Sequence, residues 1–171
     1  KLLLPDPTWA NHIPIFEDSG FQLLKYRYYR ASDCGLDLDG MLEDIDKAPR
    51  GSVVLLHACA HNPTGVDPTP SDWKAISKVV AGRDHKVRHA FLCECFFFLL
   101  LVLEQVLFDA AYQGFASGDP ARDRLPMQLF AQDGHEPVIC QSFAKNFGMY
   151  GERVGSLTVL TESADTAAKV G

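Results

Sequence analysis

Three short stretches constrain this chain more than anything else in it. Val53-Val54-Leu55-Leu56, Val106-Leu107-Phe108 and Val138-Ile139-Cys140 are apolar at every position. A half-solvated strand alternates apolar and polar residues. A strand covered on both faces is apolar throughout, and such strands belong to parallel sheets packed between helices. The second stretch ends at Asp109 and the third near Ser142. Open α/β sheets bind ligands outside the carboxyl ends of their strands, so these polar endings are the first place to look for a site.

The intervening residues fit the same architecture. Phe21–Tyr28, following Gly20, reads as a strand, and Leu36, Leu38, Met41, Leu42 and Ile45 have helical spacing. His61-Asn62-Pro63-Thr64-Gly65 is a loop by its content of turn formers. Thr69-Pro70-Ser71-Asp72 opens a helix; either hydroxyl residue is a candidate cap, and Pro70 suits the first turn if Thr69 is chosen. Trp73, Ile76, Val79 and Val80 give that helix its apolar stripe, and Ser156–Leu160 reads as a last strand. The expected fold is α/β, a mostly parallel sheet flanked by helices, and 171 residues suit one domain. Neither a Gly-x-Gly-x-x-Gly nor a Gly-x4-Gly-Lys-Ser/Thr loop occurs.

Several function classes are disfavoured. The balance of 16 Lys+Arg against 22 Asp+Glu, a net charge of −6, has no basic block for nucleic acid or an anionic membrane surface. Phe91–Leu103 is apolar except at Glu94, but its 13 residues fall short of the roughly 20 that a spanning helix needs. Cys34, Cys59, Cys93, Cys95 and Cys140 have no framework spacing, and Leu2-Leu3-Leu4 runs at once into Pro5 and Asp6, unlike a secretory signal. Reduced thiols in the cytoplasm or an organelle are expected. His85, His89 and Cys93 would share a helix face near Cys95, but the spacing matches no standard zinc finger, and no metal site is expected.

The chemistry lies at the junctions: Asn62, Asp109 with Tyr112, Ser142 with Lys145, and Arg153. A lysine becomes a nucleophilic amine when burial and nearby cations lower its pKa. A buried carboxylate holds a pyridine nitrogen protonated, and an arginine with a serine hydroxyl holds a phosphate. These are the parts that a pyridoxal 5'-phosphate (PLP) site requires. Singly, each has an ordinary reading: Lys145 as a surface lysine, Asp109 as a turn residue, Trp9 as packing, Arg153 as an ion-pair partner. Ser142-Phe143-Ala144-Lys145 is also a Ser-x-x-Lys, yet the Ser-Asp-Asn and Lys-Thr-Gly elements of serine acyl-transferases are absent.

Read in order, His57-Ala-Cys-Ala-His-Asn-Pro-Thr-Gly65, Asp109-Ala-Ala-Tyr-Gln-Gly-Phe-Ala-Ser-Gly118, Gln141-Ser-Phe-Ala-Lys-Asn-Phe-Gly-Met-Tyr-Gly-Glu-Arg-Val-Gly155 and Pro7-Thr-Trp-Ala-Asn-His12 resemble the aspartate aminotransferases, PLP enzymes of fold type I. The resemblance implies the following roles. Lys145 binds PLP covalently and serves as general base and acid. Asp109 pairs with the pyridine nitrogen, with His12 orienting it and His57 nearby. Tyr112 and Asn62 bond the phenolic oxygen, Asn62 also touches the substrate carboxylate, and Trp9 stacks on the ring and lines the substrate site. Ser142 and Arg153 bind the phosphate. Ala144 stands where some members carry Ser, which removes one hydroxyl worth ~0.5–1.5 kcal/mol.

By the same resemblance, residues 1–171 are an incomplete PLP-binding large domain, lacking the family's Ser-Gly-Thr-Gly loop ahead of Trp9 and everything after Leu160. The implied reaction is transamination between aspartate and 2-oxoglutarate in a homodimer. The alternative is a truncated or mis-spliced inactive chain that at most binds PLP weakly. Residues 87–105 have no counterpart in the family and are expected to be an aberrant apolar insertion. Val codons begin GT, a Phe/Leu run is what a pyrimidine tract encodes, and Gln105 can be CAG, so a retained in-frame intron is the expected origin.

Overall fold

A computed structural model describes residues 1–83 and 106–170. The insertion expected at 87–105 and the set His85, His89, Cys93 and Cys95 lie outside the described residues.

The three apolar stretches are strands side by side. The elements are β1 (Leu2–Asp6), α1 (His12–Asp18), β2 (Leu23–Arg27), β3 (Tyr29–Arg30), β4 (Gly35–Leu36), α2 (Leu38–Lys47), β5 (Val53–His57) and α3 (Pro70–Arg83). They continue with β6 (Val106–Ala110), α4 (Pro120–Asp123), α5 (Leu125–Gln132), β7 (Val138–Ser142), β8 (Gly155–Val159) and α6 (Ala164–Val170). The main sheet has the order β2-β1-β5-β6-β7-β8, parallel except for the antiparallel β8, and β3 and β4 form a small separate ribbon. The strand expected over Phe21–Tyr28 is therefore shorter, and the chain turns off the sheet after Arg27.

β1 was not legible as a strand. Three leucines favour helix as readily as strand, and Pro5 removes an N–H. Pairing with β2 along Leu2–Asp6 and with β5 at Leu2 and Leu3 makes it an interior strand, and Leu2, Leu3 and Leu4 are fully buried. The ladder to β5 stops before Pro5, which has no N–H to extend it.

Helix starts follow side-chain caps. The Asp37 carboxylate accepts the Gly40 N–H ahead of α2. Thr69 caps α3: its Oγ1 accepts the Asp72 N–H at 3.3 Å while Asp72 Oδ2 accepts the Thr69 N–H at 2.8 Å, a reciprocal capping box. Met41 and Ile45 of α2, Trp73, Ile76 and Val80 of α3 and Met127 and Phe130 of α5 cover one sheet face, over Leu3, Val54, Leu56, Val106, Phe108 and Ala110. Trp73, Phe108 and Phe130 meet there with ring centroids 5.2–6.3 Å apart. The opposite face packs Leu2, Leu4, Val53 and Leu55 against Phe16 and Phe21. Among the described residues, no helix is long and apolar enough to cross a membrane.

Candidate active site

The chain crosses from β1 to β2 on one side and then returns to place β5 on the other, so the strand order reverses between β1 and β5. The carboxyl ends of β1, β5, β6 and β7 deliver Trp9 and His12, His57 and Asn62, Asp109 and Tyr112, and Ser142 and Lys145 to one edge of the sheet. Because β8 runs antiparallel, the loop entering it lies at that same edge. Ser142 pairs with Gly155, and the Phe143 N–H donates to the Val154 carbonyl at 3.1 Å. A Cβ at Gly155 would stand 2.3 Å from the Gln141 carbonyl oxygen, so only glycine permits this approach.

His57 and Asp109 are partners across β5 and β6, with side chains on the same face. Hydrogen bonds link them to His12 in one direction only. The backbone N–H of Asn62 donates to His57 Nδ1 at 3.2 Å, so that nitrogen carries no proton. Neutral His57 then carries its proton on Nε2, which faces Thr8 Oγ1 at 3.5 Å. The Thr8 hydroxyl is left to donate to His12 Nδ1, 2.8 Å away, and His12 Nε2–H donates to Asp109 Oδ2 at 3.2 Å. The backbone amide thus sets the His57 tautomer, and a neutral His12 that accepts the Thr8 hydroxyl aims its own proton at the carboxylate. The ligating atoms of His12, His57 and Asp109 lie within 4.8 Å of one another, a spacing that a metal ion tolerates, but these hydrogen bonds already engage them.

The electrostatics agree with that arrangement. Burial pushes His57 down to about 4; the Asp109 carboxylate opposes the shift and His12 adds to it. Burial also works against the charge of Asp109. The His12 hydrogen bond and the fields of His57, His12 and Lys145 outweigh it and hold the carboxyl below its ordinary value. His61 stacks on His57 at 4.3 Å between ring centroids and on Tyr28 at 3.8 Å. Burial, with the fields of His57 and His12, pushes His61 down to about 3. Its Nδ1 meets Thr64 Oγ1 at 2.8 Å, and Nε2 is buried without a hydrogen-bond partner. Asp67 accepts the N–H groups of Ala60 and His61, holding the loop that presents Asn62.

Lys145 is half-buried on a turn tied by the Gly148 N–H to its own carbonyl, and its Nζ sits 4.1 Å from the centroid of the Tyr112 ring. Trp9 meets His12 edge-on at 5.2 Å and remains 38% exposed, leaving ring surface open to a ligand. Ser142 Oγ accepts the Ala144 N–H at 3.3 Å, and Arg153 is exposed, with Nη1 donating to the Tyr150 carbonyl at 3.4 Å. Three non-glycine residues among those described have positive φ: Cys34, Ala60 and Arg153. Two of them flank this edge, and strained backbone of this kind clusters at functional sites.

All nine candidate residues therefore stand on loops, strand ends or, for His12, the first residue of α1, at one edge of the sheet. Thr8, His61 and Asp67 were not singled out from the sequence. The four-residue interval from Thr8 to His12 was the one available signal, since it brings a hydroxyl beneath a ring where a helix begins.

A family model described as aminotransferase class I and II matches residues 1–87 and 104–171. The mitochondrial aspartate aminotransferase of Dictyostelium discoideum is 49% identical over 167 residues, which are 98% of this chain and 35% of that protein. The chain thus spans about a third of the length of the curated relatives it matches. A mitochondrial aspartate aminotransferase structure from Trypanosoma brucei superposes with a TM-score of 0.84 at 41% identity, covering 99% of this chain and 39% of that one. An aromatic-amino-acid aminotransferase from Burkholderia pseudomallei, covalently bound to pyridoxal phosphate, gives 0.85 at 37% identity, covering 99% and 38%.

Proposed function

Because this chain belongs to the class I and II aminotransferase family, we propose that it carries the cofactor-binding part of a PLP-dependent transaminase. The proposed reaction moves an amino group between aspartate and 2-oxoglutarate. One observation carries the reading: an aspartate whose carboxyl is held below its ordinary value, with the His12 hydrogen bond among the causes, lies within the field of a half-buried lysine. That donor set fits PLP, whose pyridine nitrogen needs an anion and whose carbonyl carbon needs an amine. When bound, PLP supplies that electrophilic carbon and a ring that takes up electrons released from the substrate.

Lys145 would hold the cofactor through Nζ and, as a free amine, accept and return a proton at the substrate Cα. Asp109 would keep a proton on the pyridine nitrogen; the bond from His12, set by Thr8 and His57, keeps Asp109 itself deprotonated. Tyr112 and Asn62 would bond the phenolic oxygen, and Asn62 the substrate carboxylate. Trp9 would cover the ring face and line the substrate site. Ser142, at the end of β7, and Arg153, two residues before its ladder partner Gly155, would take the phosphate, arginine through a charge-assisted fork. Aspartate as substrate follows the relatives' names. A homodimer is proposed as the assembly. A reducing compartment, cytoplasm or organelle, suits the free thiols of Cys34, Cys59 and Cys140.

Adding PLP to the full chain should produce a visible absorption band, and borohydride should fix the cofactor onto Lys145 in a peptide map. No band in the wild type, or the same band in Lys145→Ala, would overturn the reading. A fixed cofactor with no turnover of aspartate and 2-oxoglutarate would assign cofactor binding alone. Residues 87–105 are further proposed to be an addition to the family's chain, a reading supported by the break in the family match between 87 and 104.

A further inference from the structure

The loop leaving β6 carries Asp109 and Tyr112, and its continuation is wound around a single carboxylate. Asp123, the last residue of α4, is only 5% exposed. Its Oδ2 accepts the backbone N–H of Gly114 at 2.8 Å and of Ala116 at 3.2 Å, and its Oδ1 accepts that of Ser117 at 3.1 Å. The Phe115 N–H, lying between these clamped amides, donates to the Tyr112 carbonyl at 2.9 Å. The loop also lies tightly over α4. Gly114 has φ +91°, and a Cβ there would stand 3.3 Å from Pro120 Cγ. Gln113 Nε2 donates to the Pro120 carbonyl at 3.2 Å. A buried carboxylate is costly unless its lone pairs are met, and three amides gathered on one side chain meet them.

This arrangement ends at the Tyr112 ring, whose face receives Lys145 Nζ at 4.1 Å. We propose that Asp123 is a positioning residue for the lysine site: by gathering the amides of Gly114, Ala116 and Ser117 it fixes Tyr112, and through the Tyr112 ring it fixes the place of Lys145 Nζ. The proposal rests on the reading of Lys145 as the PLP-binding lysine. Asp123→Asn is the informative change. It keeps one acceptor oxygen, which two amides already share, and turns an NH2 group toward the Ser117 N–H, leaving that amide only its longer 3.4 Å approach to the shared oxygen.

The test compares wild type, Asp123→Asn, Tyr112→Leu, which removes the ring, and the double variant, each as the full chain loaded with PLP. Two quantities are read: the rate at which the visible band forms and the pH midpoint of that band. Asp123→Asn is expected to slow band formation on the order of 10-fold or more, since about 1 Å of misplacement is worth up to about 100-fold. It should move the midpoint in the same direction as Tyr112→Leu, and the double variant should add little to Tyr112→Leu alone. A lowered melting temperature with rate and midpoint unchanged would overturn the proposal, because a purely structural aspartate behaves that way.

Asp123→Glu keeps the charge and replaces Asp123→Asn if the latter does not fold; if neither folds, Asp123 is a folding determinant and the proposal fails. A wild type without any band overturns the PLP reading instead. Lys145 acetylation by acetic anhydride, which transfers an acetyl group to Nζ and releases acetate, in the cofactor-free chain then still decides the role of Asp123. Release of the ammonium from the ring should speed Lys145 labelling about 2–5-fold in Asp123→Asn, and an unchanged rate would refute the coupling.

Discussion

His57 and His61 stack ring on ring beneath the sheet edge, and burial pushes them down to about 4 and about 3 from an ordinary value of about 6.5. Both are therefore neutral in the folded chain, whereas the unfolded chain takes up a proton at each once the pH falls below about 6.5. The sign follows: their contribution to stability is full above that pH and is lost as the pH falls toward the folded values. At pH 5, about 1.5 pH units below the unfolded value, each histidine should cost about 2 kcal/mol relative to pH 8, and the pair about 4 kcal/mol. That is a large share of the ~5–15 kcal/mol that holds a domain folded. Asp109, Asp33, Glu43 and Asp44 are all held below their ordinary carboxyl values, so their losses come only in stronger acid. The window from pH 6.5 to 4.5 belongs to the histidines. Urea unfolding of the full chain at pH 8, 6.5 and 5, followed by circular dichroism, measures it. His61→Phe keeps the stack on Tyr28 and removes one titrating ring. Whatever it costs at pH 8, its further loss on going to pH 5 should be about half that of the wild type. A wild type whose stability is flat across the window, or a His61→Phe variant that retains the whole loss, would refute the reasoning.

Thr8→Val should destabilise the chain by about 1–2 kcal/mol, because it leaves His12 Nδ1 buried without its donor, while Thr8→Ser should stay within about 0.5 kcal/mol of wild type. Chemical denaturation of the two variants checks this, and equal losses would show that the hydroxyl is not the relevant group. For residues 87–105 the nucleotide sequence is decisive: a splice-donor consensus at the Val87 codon and CAG at Gln105 are expected, and CAA at Gln105 would sink the intron origin. Excising Val87–Gln105, which joins Lys86 to Val106, should raise the soluble yield and leave PLP labelling of Lys145 intact; lower yield would argue that the segment belongs to the fold.

Much of the architecture was legible because burial writes itself into local composition. Val53–Leu56 is buried along its whole length and Val106–Phe108 nearly so, as their composition requires, whereas in Val138–Cys140 burial fades from Val138 through half-buried Ile139 to exposed Cys140. The Thr69–Asp72 cap and the Trp73 stripe followed local rules that tertiary contacts then reinforced. β1 escaped because its evidence is non-local. Leu2–Leu4 is a strand only because β2 and β5 supply its hydrogen bonds from 21 and 51 residues further along the chain. The hand-over from Thr8 to His12 and the stack of His61 on His57 join residues only four apart, but they escaped because an i to i+4 interval by itself does not say that the two side chains turn toward each other.

The sequence by itself determined which groups are present at the strand ends: an amine at 145, a carboxylate at 109, imidazoles at 12 and 57, a guanidinium at 153. Their order along the chain was enough to select a family. What only the tertiary structure decided was their state and direction. The Asn62 amide sets where the proton of His57 lies, the His12 bond and nearby fields outweigh burial to hold the Asp109 carboxyl down, and Asp123 sets the course of the loop behind Tyr112. Such properties depend on distance, desolvation and hydrogen-bond direction, which the folded backbone sets even between residues as near in the chain as His57 and Asn62.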